Sequence, residues 1–386
     1  MALKILSVDD EQDLEILLTQ YFRRKIRRGE YEFSFAHNGV EALGMMAEHP
    51  DYDIILSDIN MPEMDGITLL SRINEMRNPA IKCIMVSAYG DMDNIRSAMN
   101  QGAFDFTTKP IDLGDLERTI EKAAEQIEFV KKAQAEHSLL ASIQNDLHVA
   151  QEIQETILPD RIPEYSDGLN SRFDLHAYMK AAKYVGGDFY DFFKIDESRL
   201  GIVIADVSGK GVPAAIFMAI SRTLLRAMAL STNSCSECLR QCNNILSKDS
   251  VNNNMFVTAF YGIMNLHTGN IKYSNAGHNP PVAIRRDGQT TLLEPTGDIA
   301  LGAVPDISYG ENDTTLAPGD SLLLYTDGVI DAMNSSGERL GIARLIELCR
   351  ESTSENLLEN IEKTIAEFTA DTPQADDITM LAVSYK

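Results

Sequence analysis

The chain reads as a parallel α/β domain, a long helix, and a second domain of short strands. Three observations predict this order. Short apolar runs alternate with amphipathic stretches as far as Glu121, no glycine or proline occurs from Leu116 to Leu158, and beyond Pro159 strand-length apolar runs end beside glycines and acids. At 386 residues and 44% hydrophobic content, the chain can bury two substantial cores.

In the first domain LKILSV, FSFAH and DIILSD are strand candidates, with VEALGMMAEH a helix between the last two. Parallel sheets gather chemistry at the carboxyl ends of their strands, and the acids fall there. Asp9 and Asp10 follow ILSV, and Asp58 closes DIILSD. Ser87 closes IKCIMVS, and Lys109 ends FDFTTKP ahead of Pro110, whose peptide bond is a candidate for cis geometry. Three carboxylates, a hydroxyl and a lysine at separate strand ends make an acidic pocket able to hold Mg²⁺ and a phosphoryl group.

Through SVDDEQD, LSDINMPEMDG, VSAYG and TKP, this segment resembles the response-regulator receiver family over its whole length. The resemblance implies a doubly wound, five-stranded parallel sheet and a sensor histidine kinase as partner. It implies that Asp58 is the phosphoacceptor and that Asp10, Asp58 and the Asn60 carbonyl bind Mg²⁺ with Asp9 in support. Ser87 and Lys109 would then contact the phosphoryl oxygens. Phe106 departs from the family, which often has a tyrosine there, and lacks the hydroxyl associated with switching.

Between the domains, Leu116, Ile120, Ala123, Ile127 and Val130 alternate spacings of four and three, a heptad seam. The pattern weakens through Gln134 and His137 and resumes at Leu140, Ile143, Leu147 and Ala150, as a three-residue phase change would produce. A parallel homodimeric coiled coil is expected, the alternative being one helix packed on its own domains.

In the second domain VGGDFYDFF sets Asp188 and Asp191 just after paired glycines. Asp206 follows LGIVIA, Asp327 follows SLLLYT, and Asp376 and Asp377 precede ITMLAV. Unpaired carboxylates gathered in a partly buried place repel one another, so a metal cradle explains them better than a solvated turn. Three superficial likenesses fail. GGDFY lacks the second acid of the GGDEF cyclase motif, SGKG lacks the first glycine and the hydroxyl of a P-loop, and no G-x-S-x-G elbow surrounds Ser208.

The ordered set GGDFYD, ADVSGKGVPAA, NAGHNPP, YTDGVIDA and DDIT resembles the metal-dependent PPM serine/threonine phosphatases of the bacterial SpoIIE/RsbU-type branch, together with the preceding AQEIQETILP. The resemblance implies an α+β fold of two stacked antiparallel sheets flanked by helices and a site for two Mn²⁺ or Mg²⁺ ions. Asp206 would bridge them, Asp188 and the Val207 carbonyl would serve one side, Asp327 and Asp376 would hold the other ion, and Asp377 would support. Ser208 stands where animal relatives carry a histidine, so the group that protonates the leaving oxygen is open, with His278 one candidate.

The expected organisation is a receiver over 1–121, a helical coiled-coil linker over 122–158, and a phosphatase over 159–386. Its expected substrate is a phosphorylated anti-sigma-factor antagonist, the alternative being a non-catalytic adaptor, which should have lost some of the four metal acids. The 34 basic and 58 acidic residues leave a net charge of −24, which repels nucleic acid and anionic membranes and attracts hard divalent cations. The five cysteines have no disulfide spacing, and Cys235, Cys238 and Cys242 share one helix face without a fourth ligand, against zinc. No early apolar leader and no apolar run of membrane-spanning length is evident, so a cytoplasmic location is expected.

Overall fold

A computed structural model describes residues 2–88, 91–166, 168–250, 255–297, 299–370 and 372–386. The last two residues of VSAYG lie outside them. The chain divides into two compact units, residues 1–143 and 144–386.

The first unit is a doubly wound parallel sheet. Strands β1 (Leu3–Val8), β2 (Tyr31–Ala36), β3 (Ile54–Asp58), β4 (Lys82–Ala88) and β5 (Asp105–Lys109) lie in the order β2-β1-β3-β4-β5. All five residues of β3 are buried, as a central parallel strand covered on both faces requires. The Lys109–Pro110 peptide is cis.

One helix, Leu113–Ile157, follows β5 and crosses from the first unit into the second. Its early apolar residues correct the seam expected of them. Leu116, Ile120, Ala123 and Ile127 are buried in the core of the first unit with Ile5, Leu18, Phe22 and Tyr31, so the heptad spacing there serves intrachain packing. Lys25 pairs with Glu117 and Glu121, each at 2.7 Å, and Lys131 pairs with Asp53, so the helix stays docked past residue 121. Ile120→Ala is therefore expected to destabilise this unit by about 2–5 kcal/mol in chemical denaturation. From Lys131 to Asp146 the helix is exposed, including Leu139, Leu140 and Ile143.

The second unit stacks two antiparallel sheets. Its strands are β6 (Phe173–Lys180), β7 (Phe189–Asp196), β8 (Arg199–Val207), β9 (Val257–Asn265), β10 (Asn270–Ala276), β11 (Val282–Ile284), β12 (Thr290–Leu292), β13 (Asn312–Thr315), β14 (Ser321–Tyr325) and β15 (Ile378–Tyr385). One sheet runs β13-β10-β9-β8-β7 and the other β12-β11-β14-β15-β6. Between them lie Phe192, Ile202, Ile204, Phe260, Leu322, Leu324, Leu381 and Val383. Helices Val212–Ser231 and Cys235–Ser250 cover the outer face of the first sheet, and Gly341–Glu351 and Leu357–Thr369 that of the second. Covered on both sides, β15 is buried at all eight residues instead of alternating.

Helix Val212–Ser231 corrects the expectation about apolar runs. It is 20 residues long with a mean hydropathy of 1.4, enough by length and composition to cross a membrane. Ala214, Met218, Leu225 and Ala229 instead pack on the sheet, and buried Arg222 pairs with Asp191 at 3.1 Å. All five cysteines are free and buried.

Candidate active sites

At the carboxyl ends of β1, β3 and β5, Asp9, Asp10 and Asp58 come together with Lys109. Oxygens of the three carboxylates lie within 4.8 Å of one another, a spacing suited to one divalent cation. Lys109 Nζ donates to Asp58 Oδ2 at 2.8 Å and to Glu11 Oε1 at 2.9 Å, and lies 3.0 Å from Asp9 Oδ2. Burial works against the charge on Lys109, but these carboxylates together hold its pKa above the usual range. Burial raises Asp9. The Asn60 backbone N–H points at Asp58 Oδ1, 3.4 Å away. Ser87 is fully buried at the end of β4, and Phe106 on β5 packs partly against the core.

In the second unit the acids arrive from separate strand ends. Asp188 precedes β7, Asp206 lies near the end of β8, Asp327 follows β14 and Asp376 precedes β15. Two close backbone approaches bring them together. A Cβ on Gly187 would sit 2.8 Å from the Val207 carbonyl, and one on Gly328 would sit 1.9 Å from the Asp377 carbonyl. Only glycine tolerates such contacts. Asp377 is buried and binds backbone: its Oδ1 accepts from Ala182 N–H at 2.8 Å and its Oδ2 from Gly187 N–H at 2.7 Å.

Asp188 is buried, and its Oδ2 accepts from the Thr326 hydroxyl at 2.6 Å. Burial, then the charge of Asp206, pushes Asp188 well above the carboxylate range. Asp206 is raised by burial and then by Asp327, and Asp327 by burial and then by Asp376. Each carboxylate is disfavoured as an anion by the next. Lys210 answers part of this charge, donating to Asp376 Oδ2 at 2.8 Å and to the Ala375 carbonyl at 2.6 Å. A cleft of about 340 Å³ opens beside Gly328 and Asp376 and runs past Asp331, Arg339 and Tyr178.

Asp191, the other acid of the VGGDFYDFF stretch, belongs elsewhere: its Oδ1 meets Arg222 at 3.1 Å and Arg226 at 3.4 Å. Ser208 Oγ accepts from Phe256 N–H at 3.0 Å. His278 is buried, its Nδ1 lies 2.8 Å from the Thr258 hydroxyl, and burial lowers its pKa to about 4. An imidazole held neutral in that way ties its loop to β9 and is a poor source of protons at neutral pH. Sequence reasoning missed Thr326, although its place beside Asp327 in YTDG was the available signal.

The model of the Stage II sporulation protein E (SpoIIE) family matches residues 196–386, and that of the response regulator receiver domain matches residues 5–121. The phosphoserine phosphatase RsbU of Bacillus subtilis is 30% identical over 261 residues, covering 66% of this chain and 75% of RsbU. Protein IcfG of Synechocystis is 32% identical over 266 residues, covering 62% of this chain; the chain spans only 41% of IcfG. Among solved structures, the SiaA-PP2C domain of Pseudomonas aeruginosa matches with a TM-score of 0.56 and 25% identity, covering 64% of this chain and 99% of that domain.

Proposed function

We propose that this chain, which belongs to the SpoIIE family of phosphatases and carries a response-regulator receiver domain, removes phosphate from serine or threonine of a protein under the control of Asp58. The observation that carries the reading is the close approach of the Asp188 turn to Val207 and of the Asp327 turn to Asp377, through Gly187 and Gly328, with a repulsion among Asp188, Asp206, Asp327 and Asp376 that bound cations would relieve. Oxygen donors in that number suit Mn²⁺ or Mg²⁺, and the Gly187 contact leaves the Val207 carbonyl room to serve as a further donor.

On this reading Asp206, Asp188 and the Val207 carbonyl would hold one ion, and Asp206, Asp327 and Asp376 would hold the other. Such ions, when bound, supply an activated water and neutralise phosphate oxygens. Asp377 fixes the turn that carries Asp188, and the Thr326 hydroxyl orients the Asp188 carboxylate. The cleft beside Asp376 gives the segment flanking the phosphorylated residue a place to lie. In the receiver, Asp58 would accept the phosphoryl group from a sensor histidine kinase, Asp10, Asp58 and the Asn60 carbonyl would hold Mg²⁺ with Asp9 in support, and Ser87 and Lys109 would bind phosphoryl oxygens. Phe106 lies in the place of the usual switching tyrosine.

The substrate we assign is a phosphorylated anti-sigma-factor antagonist, acted on in the cytoplasm. Support comes from the likeness to a phosphoserine phosphatase. The test is phosphate release from candidate phosphoproteins with and without Mn²⁺. Release that ignores Mn²⁺, or none from any phosphoprotein, would overturn the reading.

The proposed receiver extends over 1–121 and the phosphatase over 159–386, joined by a linker over 122–158. The exposed run Leu139, Leu140 and Ile143, continued by half-buried Leu147, supports a homodimer through the later part of the helix. Leu147→Lys places a charge in that seam and is expected to shift the mass in sedimentation towards the monomer. An unchanged mass would leave the helix without a dimer role.

A further inference from the structure

Gln154 is a polar residue, 7% exposed, on the last turns of the long helix. Its amide is used twice on one residue: Nε2 donates to the Gly186 carbonyl at 2.8 Å, and Oε1 accepts from Gly186 N–H at 3.1 Å. The N–H end of the Gly186–Gly187 peptide is held separately, by Asp377 Oδ2 at 2.7 Å. One peptide plane is thus gripped at its oxygen by the helix and at its nitrogen by the residue before β15.

Gly186 is small because it has to be. A Cβ there would sit 2.4 Å from Asp377 Oδ2. Two consecutive glycines are the loosest backbone a chain can have, and the residue they deliver is Asp188. Nothing in that dipeptide fixes its own geometry, so the direction of Asp188 depends on what holds the two glycines.

We propose that Gln154 is a positioning residue of the phosphatase site, setting the Gly186–Gly187 peptide and through it the placement of Asp188 for a divalent cation. This rests on the metal-site reading given above. Gln154 touches neither ion nor substrate; it acts through Gly186.

The test uses the full chain in an Asp10→Asn background, so that the receiver carboxylates do not contribute a second ion. Gln154→Met keeps the length and bulk of the side chain and loses both hydrogen bonds. Mn²⁺ affinity by calorimetry is expected to fall about tenfold, equivalent to about 1.4 kcal/mol. With para-nitrophenyl phosphate, kcat should fall at limiting Mn²⁺ and recover at excess, with KM unchanged. Gln154→Glu keeps the acceptor for Gly186 N–H and loses the donor, so its affinity should lie between the two. Wild-type Mn²⁺ affinity in both variants, or a loss of kcat that excess Mn²⁺ does not restore, overturns the proposal. Asp206→Asn in the same background separates the two readings. If it too binds Mn²⁺ as the wild type does, the metal site itself is misassigned; if it alone loses Mn²⁺, only the role of Gln154 falls.

Discussion

Asp327→Asn and Asp376→Asn are each expected to lower Mn²⁺-dependent phosphatase turnover on the order of 10³-fold or more, several kcal/mol of transition-state stabilisation, with the fold intact. Each change keeps the side-chain shape and removes one anionic oxygen donor. The same structure predicts the accompanying stability. Burial and neighbouring acids already disfavour the charge on Asp327, and Asp376 contributes to that repulsion, so neither variant should melt below the wild type in chelator. Asp376→Asn gives up part of the Lys210 ion pair, but Lys210 keeps the Ala375 carbonyl, and a half-exposed pair contributes little. Asp58→Asn, in the other unit, should leave basal turnover measurable. Near wild-type turnover in either phosphatase variant would remove these acids from the site.

The acids were legible because each closes or opens an apolar run, and strand ends are where a sheet can bring distant residues together. The parallel sheet was equally plain, since DIILSD and IKCIMVS are too continuously apolar for one-sided strands. The linker was harder to read. Leu116 to Ile127 carry a heptad spacing, but that spacing specifies only an apolar stripe, and a receiver core offers the stripe the same burial that a second helix would. The roles of Gln154 and Thr326 escaped for a different reason, although both residues lie inside the stretches AQEIQETILP and YTDGVIDA. Their partners, Gly186 and Asp188, lie 32 and 138 residues away, and no local periodicity encodes a hydrogen bond across such a separation. Helix Val212–Ser231 concealed its character behind Arg222 and Arg226, which share the single carboxylate of Asp191.

Beryllofluoride, a phosphoryl mimic, is expected to change the phosphatase rate of the full-length protein by fivefold or more, within the range of about 5–150-fold typical of coupled sites. Charge added at Asp58 acts at a distance only by biasing an element with two arrangements. The helix Leu113–Ile157 is the covalent route, and each end is anchored by named contacts: Glu117, Glu121 and Lys131 on the receiver, Gln154 on the turn before Asp188. Among the described residues its exposed middle has no such anchor, so a break there should uncouple the ends without unfolding either unit. Ala135→Pro is the specific test, because proline in a helix interior removes a hydrogen bond and clashes with the preceding turn, at about 3 kcal/mol. Basal turnover should persist in that variant while the response to beryllofluoride is lost, and Asp58→Asn should lose the response with its helix unbroken. An equal response in Asp58→Asn would mean that beryllofluoride acts at the phosphatase site itself. A full response in Ala135→Pro would show that the helix does not carry the signal.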